Sequence, residues 1–218
     1  MTIPAMANRE KDRTVMDPAN SDQLRLKQGD ALIVVDVQND FLAGGSLEVP
    51  QGNEIIPVFN QYIEAFATNG LPVFATRDWH PSNHCSFKAQ GGLWPSHCVV
   101  DTEGAQFAPD LLLPGSAVVI SSATETDKEA YSGFQGTDLD ERLRSAHIQR
   151  LFIGGLTTDY CVLSTVKDAI EQAYKVFLLQ DAIKAVNVNP DDGKKAEEEM
   201  IRLGAVLIKY EMFDKANR

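Results

Sequence analysis

The stretch ATRDWHPSNHCSF, residues 75–87, sets Asp78, His80 and His84 close together, and His97 follows shortly afterwards in WPSHC. Residues i and i+2 of an extended segment point the same way, so Asp78 and His80 can offer one carboxylate oxygen and one imidazole to a common point. His97 can close the set from the far side of the loop. One carboxylate and two imidazoles, with positions left for water, suit a catalytic divalent ion: zinc, iron(II) or manganese. A closed structural zinc fits less well, because the His-Cys pairs at 84–85 and 97–98 put their ligands side by side. An isolated Asp-x-His more often makes a hydrogen-bonded turn, but three of the chain's four histidines fall within residues 80–97.

A thiol offers a second kind of chemistry. In GGLTTDYCVLSTVKDA, Cys161 stands where a strand turns into a helix, so its sulfur can lie near the unpaired N–H groups and positive end of that helix. That setting favours thiolate, and the same N–H groups can bind an oxyanion. Cys85 and Cys98 lack this context and read as small buried hydrophobes. Three cysteines, an odd number, suit a reducing cytoplasm.

These residues need a frame. Six short runs read as strands: ALIVVD (31–36), LPVFATR (71–77), AVVIS (117–121), RLFIGG (150–155), KVFLLQD (175–181) and AVLIKY (205–210). Helices alternate with them. The apolar residues of NEIIPVFNQYIEAFATNG fall at 55, 56, 59, 62, 63 and 66, a helical stripe with Asn53 as N-cap and Gly70 as stop. TDLDERLRSAHI, capped by Thr137, CVLSTVKDAIEQA and DGKKAEEEMIRLG supply three more, with His147 on the surface. The alternation predicts a three-layer α/β/α domain with a six-stranded, mostly parallel sheet. In such sheets ligands bind beyond the carboxyl ends of the strands. Asp36, Asp78, Ser122, Cys161 and Asp181 all fall there.

Composition narrows the class. At 218 residues the chain suits one large domain over 29–218, preceded by a flexible or loosely docked arm over 1–28 in which nothing is periodic enough to form core. A formal net charge of -11 repels phosphate backbones and anionic membranes, so neither nucleic acid nor membrane is an expected partner. The opening residues lack the apolar centre of a secretory signal, and a soluble, cytoplasmic protein is expected. Self-association into a homo-oligomer stays open.

Taken together, VVDVQNDF, TRDWHPSNHCSF, GGLWPSHCV, TEGAQF, DKEAYSGF, GTDL and GGLTTDYCV resemble the nicotinamidase branch of the isochorismatase-like cysteine hydrolases, over about residues 31–210. The resemblance implies hydrolysis of nicotinamide to nicotinic acid and ammonia. It implies Cys161 as nucleophile, Asp36 as its base, and Asp78, His80 and His97 as ligands of one divalent ion, zinc first with iron or manganese behind it, assisted by His84. It further implies an aromatic pocket of Phe41, Trp94 and Tyr131, and a cis peptide between Leu156 and Thr157 that aims the N–H groups of Thr157 and Cys161 at the oxyanion.

One departure matters. The family's third catalytic residue is a lysine just past the third strand, and VVISSATETDKEAYSGF puts Ser122 in its place. A cation there would favour both carboxylate and thiolate, whereas serine offers only a hydrogen bond. Lys128, six residues on, is the other source of charge. The outcomes are an enzyme working without the lysine, a substituted and slowed form, or a homologue that binds ligand without turnover. A related hydrolase of another small amide or ester is the remaining enzyme reading.

Overall fold

In the computed structural model, which describes residues 23–217, the run DALIVV forms β1 (Asp30–Val35) with every residue buried. Its side chains divide by parity. Leu32 and Val34 enter one core with Phe59, Tyr62 and Phe66 of α1 (Ile55–Thr68), while Ala31, Ile33 and Val35 enter the other. Burial on both faces is why the run carries no polar alternation.

The remaining strands are β2 (Val73–Asp78), β3 (Val118–Ser122), β4 (Arg150–Leu156), β5 (Lys175–Lys184) and β6 (Val206–Ile208), and every neighbouring pair is parallel. Their order is β3-β2-β1-β4-β5-β6, so the direction of strand addition reverses between β1 and β4. A ligand crevice is expected at such a reversal. Helices α1 and α5 (Tyr210–Asn217) cover one face, and α2 (Leu139–Ser145), α3 (Leu163–Glu171) and α4 (Asp192–Leu203) the other. The three-layer sheet expected from the alternation is present, and it is wholly parallel.

Four local expectations are corrected. The segment read as a strand over 205–210 pairs only over Val206–Ile208 and then enters α5, because the Asp181 carboxylate accepts the Tyr210 N–H at 2.7 Å and Tyr210 and Phe213 pack on Tyr62. Asp181 therefore leaves the crevice. The β4–β5 register jumps from Ile153↔Leu178 to Gly155↔Ile183, and Asp181 sits in the looped-out stretch, also accepting the Tyr62 hydroxyl at 3.1 Å. The N-terminal cap expected of Asn53 is not made: its side chain accepts the Ala43 N–H instead, and a 3-10 turn over Gly52–Glu54 leads into α1. The expected arm over 1–28 lies, for residues 1–22, outside the described residues. Residues 23–28 are docked: Leu24 is buried, and the carbonyls of Gln23 and Arg25 accept from Arg150 at 2.6 and 2.7 Å. No described helix is long and apolar enough to cross a membrane.

Candidate active site

At the carboxyl end of the sheet, strand register does the positioning. Asp36 follows β1 directly, Asp78 ends β2, and Ser122 ends β3 in register with Asp78. Asp36 has φ +50, a left-handed conformation that aspartate tolerates better than most residues. Gly155 of β4 is the counterpart: an added Cβ would lie 2.0 Å from the Val35 carbonyl oxygen. Only glycine lets β1 and β4 approach this closely beside the acid.

Beyond β4 the Leu156-Thr157 peptide is cis, as the resemblance implied, and the chain makes a π-helical turn over Thr158–Val162 before α3. Cys161 lies in that turn, buried, with its thiol hydrogen-bonded to Asp36 and the Thr157 N–H directed at its sulfur. Sulfur, Asp36 and Asp78 each offer an atom within 4.8 Å of the others. Thr76 donates its hydroxyl to Asp36 at 2.5 Å.

Without an ion at Asp78, the electrostatics oppose the expected thiolate. Burial, then Asp36 and Asp78, push the Cys161 thiol well above its ordinary value, and only the Thr157 N–H opposes them. Burial and Asp78 likewise hold Asp36 well above the usual carboxylate range. A helix terminus contributes partial charges, which two buried carboxylates outweigh. Ser122 does not relieve this, since its hydroxyl donates to the Arg77 carbonyl at 3.3 Å. Lys128 does not either: it is largely exposed and pairs with Glu125 at 2.6 Å. Among the described residues no lysine or arginine forms an ion pair with Asp36 or Asp78.

Beside this cluster stands the histidine set. A short parallel bridge between His80 and Val99 folds the long loop back, bringing His97 alongside His80. Asp78 Oδ2 lies 3.4 Å from His80 Nε2 and 3.8 Å from His97 Nε2. Each imidazole commits its Nδ1 to a carbonyl, His80 to Ala123 at 3.3 Å and His97 to Pro95 at 2.8 Å. Both Nε2 atoms are thereby left as lone pairs facing a carboxylate. Burial pushes the His97 imidazolium down, so a proton there does not resolve the conflict, and His80 Nε2 is buried without a hydrogen-bond partner. A divalent cation would satisfy all three, and backbone carbonyls holding the distal nitrogens are the usual support of histidine ligands. The set fits such an ion.

His84 departs from its expected role. Its Nδ1 meets Ser86 Oγ at 2.8 Å and its Nε2 the Lys128 carbonyl at 3.0 Å, leaving no nitrogen for a metal. It packs on His80, ring centroids 4.3 Å apart, and Phe87 lies edge-on to His80, His84 and His97.

Phe41, Trp94 and Tyr131 do line one pocket with Asp78, His97, Thr157 and Cys161. Trp94 Nε1 donates to the Tyr131 hydroxyl at 3.0 Å, which donates in turn to Glu129. Several contributors were missed from sequence. Leu47, Tyr160 and Val186 complete the pocket, and Tyr160 sets its ring edge against Trp94. Gln38 clamps the Asp78 backbone from both sides, donating to its carbonyl and accepting its N–H, each at 2.8 Å. Thr76 and Gln38 had a usable signal, each lying two positions from a named acid.

Comparison with known proteins agrees with this arrangement. A family model, the isochorismatase domain, matches residues 30–212. Nicotinamidase of Escherichia coli is 40% identical over 198 residues, 81% of this chain and 93% of that protein. The crystal structure of Pyrococcus horikoshii pyrazinamidase in complex with zinc is 50% identical with a TM-score of 0.80, covering 83% of this chain and 99% of that one. PnC1 of L. infantum in complex with nicotinate is 34% identical with a TM-score of 0.79, over 86% and 96%. A thiol, an acid and a metal-ready triad meeting at the β1/β4 reversal, within a match spanning almost all the described residues, show that the chain belongs to the isochorismatase family.

Proposed function

We propose that this chain is a metal-dependent cysteine amidohydrolase that converts nicotinamide into nicotinic acid and ammonia through a thioester, at a rate limited by Ser122. The observation that carries the proposal is the Cys161 thiol hydrogen-bonded to Asp36 in a pocket that also holds Asp78, His97 and three aromatic side chains. That a zinc-bound pyrazinamidase and a nicotinate-bound protein share the fold supports both the metal and the pyridine ring.

The chemistry follows from the chain's own groups. Asp36 takes the thiol proton, and Cys161 sulfur bonds to the carboxamide carbon while the carbonyl electron pair moves onto oxygen. The N–H groups of Thr157 and Cys161 stabilise that oxygen. Asp36 returns its proton to the nitrogen, and ammonia leaves as the thioester forms. Asp36 then takes a proton from water as the water oxygen attacks, and the thiolate is expelled from the acid. An ion held by Asp78, His80 and His97 would supply a Lewis-acid contact that orients the pyridine nitrogen. Phe41, Trp94 and Tyr131 would hold the flat ring against the sulfur.

The first proton transfer is where Ser122 matters. Asp36 and Cys161 are both pushed up, so the carboxylate–thiolate pair forms against burial and the nearby Asp78, with no lysine or arginine among the described residues paired to either acid. The same observation favours a second reading, a homologue that binds nicotinamide without turning it over. Measuring ammonia release by this chain and by Ser122→Lys separates the two. Release that increases with lysine supports the enzyme; tight calorimetric binding with no release from either form supports the binding protein.

A further inference from the structure

We infer that the Thr157 hydroxyl is a third donor to the carboxamide oxygen, beside the backbone N–H groups of Thr157 and Cys161. The inference rests on the amidohydrolase reading above and adds a side chain to it. Among the described residues only two buried side-chain polar atoms lack a hydrogen-bond partner, His80 Nε2 and Thr157 Oγ1. The first faces the place where a cation fits. The second belongs to a residue only 4% exposed that borders the pocket together with Cys161.

The rest of Thr157 is accounted for in the resting site. Its N–H is directed at the Cys161 sulfur, and its carbonyl accepts from Tyr160 at 3.2 Å and Val162 at 3.0 Å. Two other buried threonine hydroxyls, those of Thr76 and Thr165, are engaged within the protein: Thr76 donates to Asp36, and Thr165 accepts the Gly133 N–H at 3.1 Å. An unmet hydroxyl in the interior is destabilising, and valine would fill the same space without it. A threonine kept here without a protein partner therefore points to a partner that arrives with the substrate.

Chemistry selects which substrate atom. Attack by the Cys161 sulfur places the carbonyl oxygen beside the residue whose N–H already faces that sulfur. As the C–S bond forms, the carbonyl electron pair becomes an oxyanion, and a neutral hydroxyl donates to it without giving up its proton. Because charge grows along the reaction, the contact strengthens toward the transition state and is read in kcat more than in KM.

The test compares Thr157→Val and Thr157→Ser, in the chain as it stands and with Ser122→Lys, by steady-state ammonia release from nicotinamide and by thermal unfolding. Thr157→Val is expected to lower kcat about 10- to 100-fold with KM changed no more than about twofold. Its Tm should equal or exceed the parent's, and Thr157→Ser should recover most of kcat. Unchanged kcat in Thr157→Val, a loss confined to KM, or a fall in Tm with no recovery by serine overturns the inference. Absence of ammonia from both parents, before any Thr157 variant is compared, instead defeats the amidohydrolase reading on which it rests.

Discussion

The two ends of β1 and β4 treat buried charge in opposite ways. At their amino ends Asp30 and Arg150 stand in register, joined by two charge-assisted hydrogen bonds, with the guanidinium also capping two carbonyls of the docked N-terminal segment. Every charge there has a partner. At the carboxyl ends Asp36, Asp78 and Cys161 crowd together, and among the described residues no lysine or arginine pairs with them. Completing a buried charge cluster holds a fold together, whereas leaving one incomplete reserves it for a proton, a metal or a substrate.

That contrast can be broken most severely at the sulfur. Cys161→Ala should lower ammonia release by about 10⁴-fold or more, since the nucleophile is irreplaceable, while urea unfolding shows stability retained. Supplying the missing cation is the next largest change: Ser122→Lys should raise kcat/KM by about 10²- to 10⁴-fold if the amine acts as a typical positioned group. The same variant should move the pH profile. Asp36 must be ionised to act as base, and its raised value delays that to higher pH, so activity rises with pH through it; a neighbouring ammonium should shift the rise to lower pH.

At the other end, Arg150→Ala leaves Asp30 buried and unpaired, and should cost about 3–5 kcal/mol in denaturant unfolding with activity per folded molecule unchanged. Between the two ends in size of effect, His80→Ala should weaken zinc binding by about 100-fold, read by competition with a chelator, while substrate-free stability changes little. The smallest expected effect sharpens the contrast by exclusion. Lys128→Ala should leave activity unchanged, because its charge is spent on Glu125 in solvent.

The frame was legible in the sequence because its central strands are buried on both faces and announce themselves as apolar runs. What escaped depends on partners far along the chain. Tyr210 begins a helix because Asp181 is there to receive its N–H, and Leu24 is core because Arg150 and Asn217 hold the segment around it. Neither leaves a periodic trace in eight or so residues. The metal-ready triad was readable from spacing and loop closure. The direction in which Cys161 is pushed was not, since it requires knowing that two carboxylates stand within 4.8 Å and that Ser122 looks away. His84 was misjudged for a similar reason: residue type gave it a ligand's chemistry, but Ser86 and the Lys128 carbonyl had already taken both nitrogens.

Gly155 carries one more consequence. Its missing side chain allows the Val35 carbonyl to come within what would be 2.0 Å of a Cβ, so the distance between the strand bearing the acid and the strand leading to the sulfur is set by a residue with no reactive atom. In a saturation library selected for turnover, position 155 would tolerate as few alternatives as position 161. An investigator ranking positions by intolerance alone would count a spacer among the reagents.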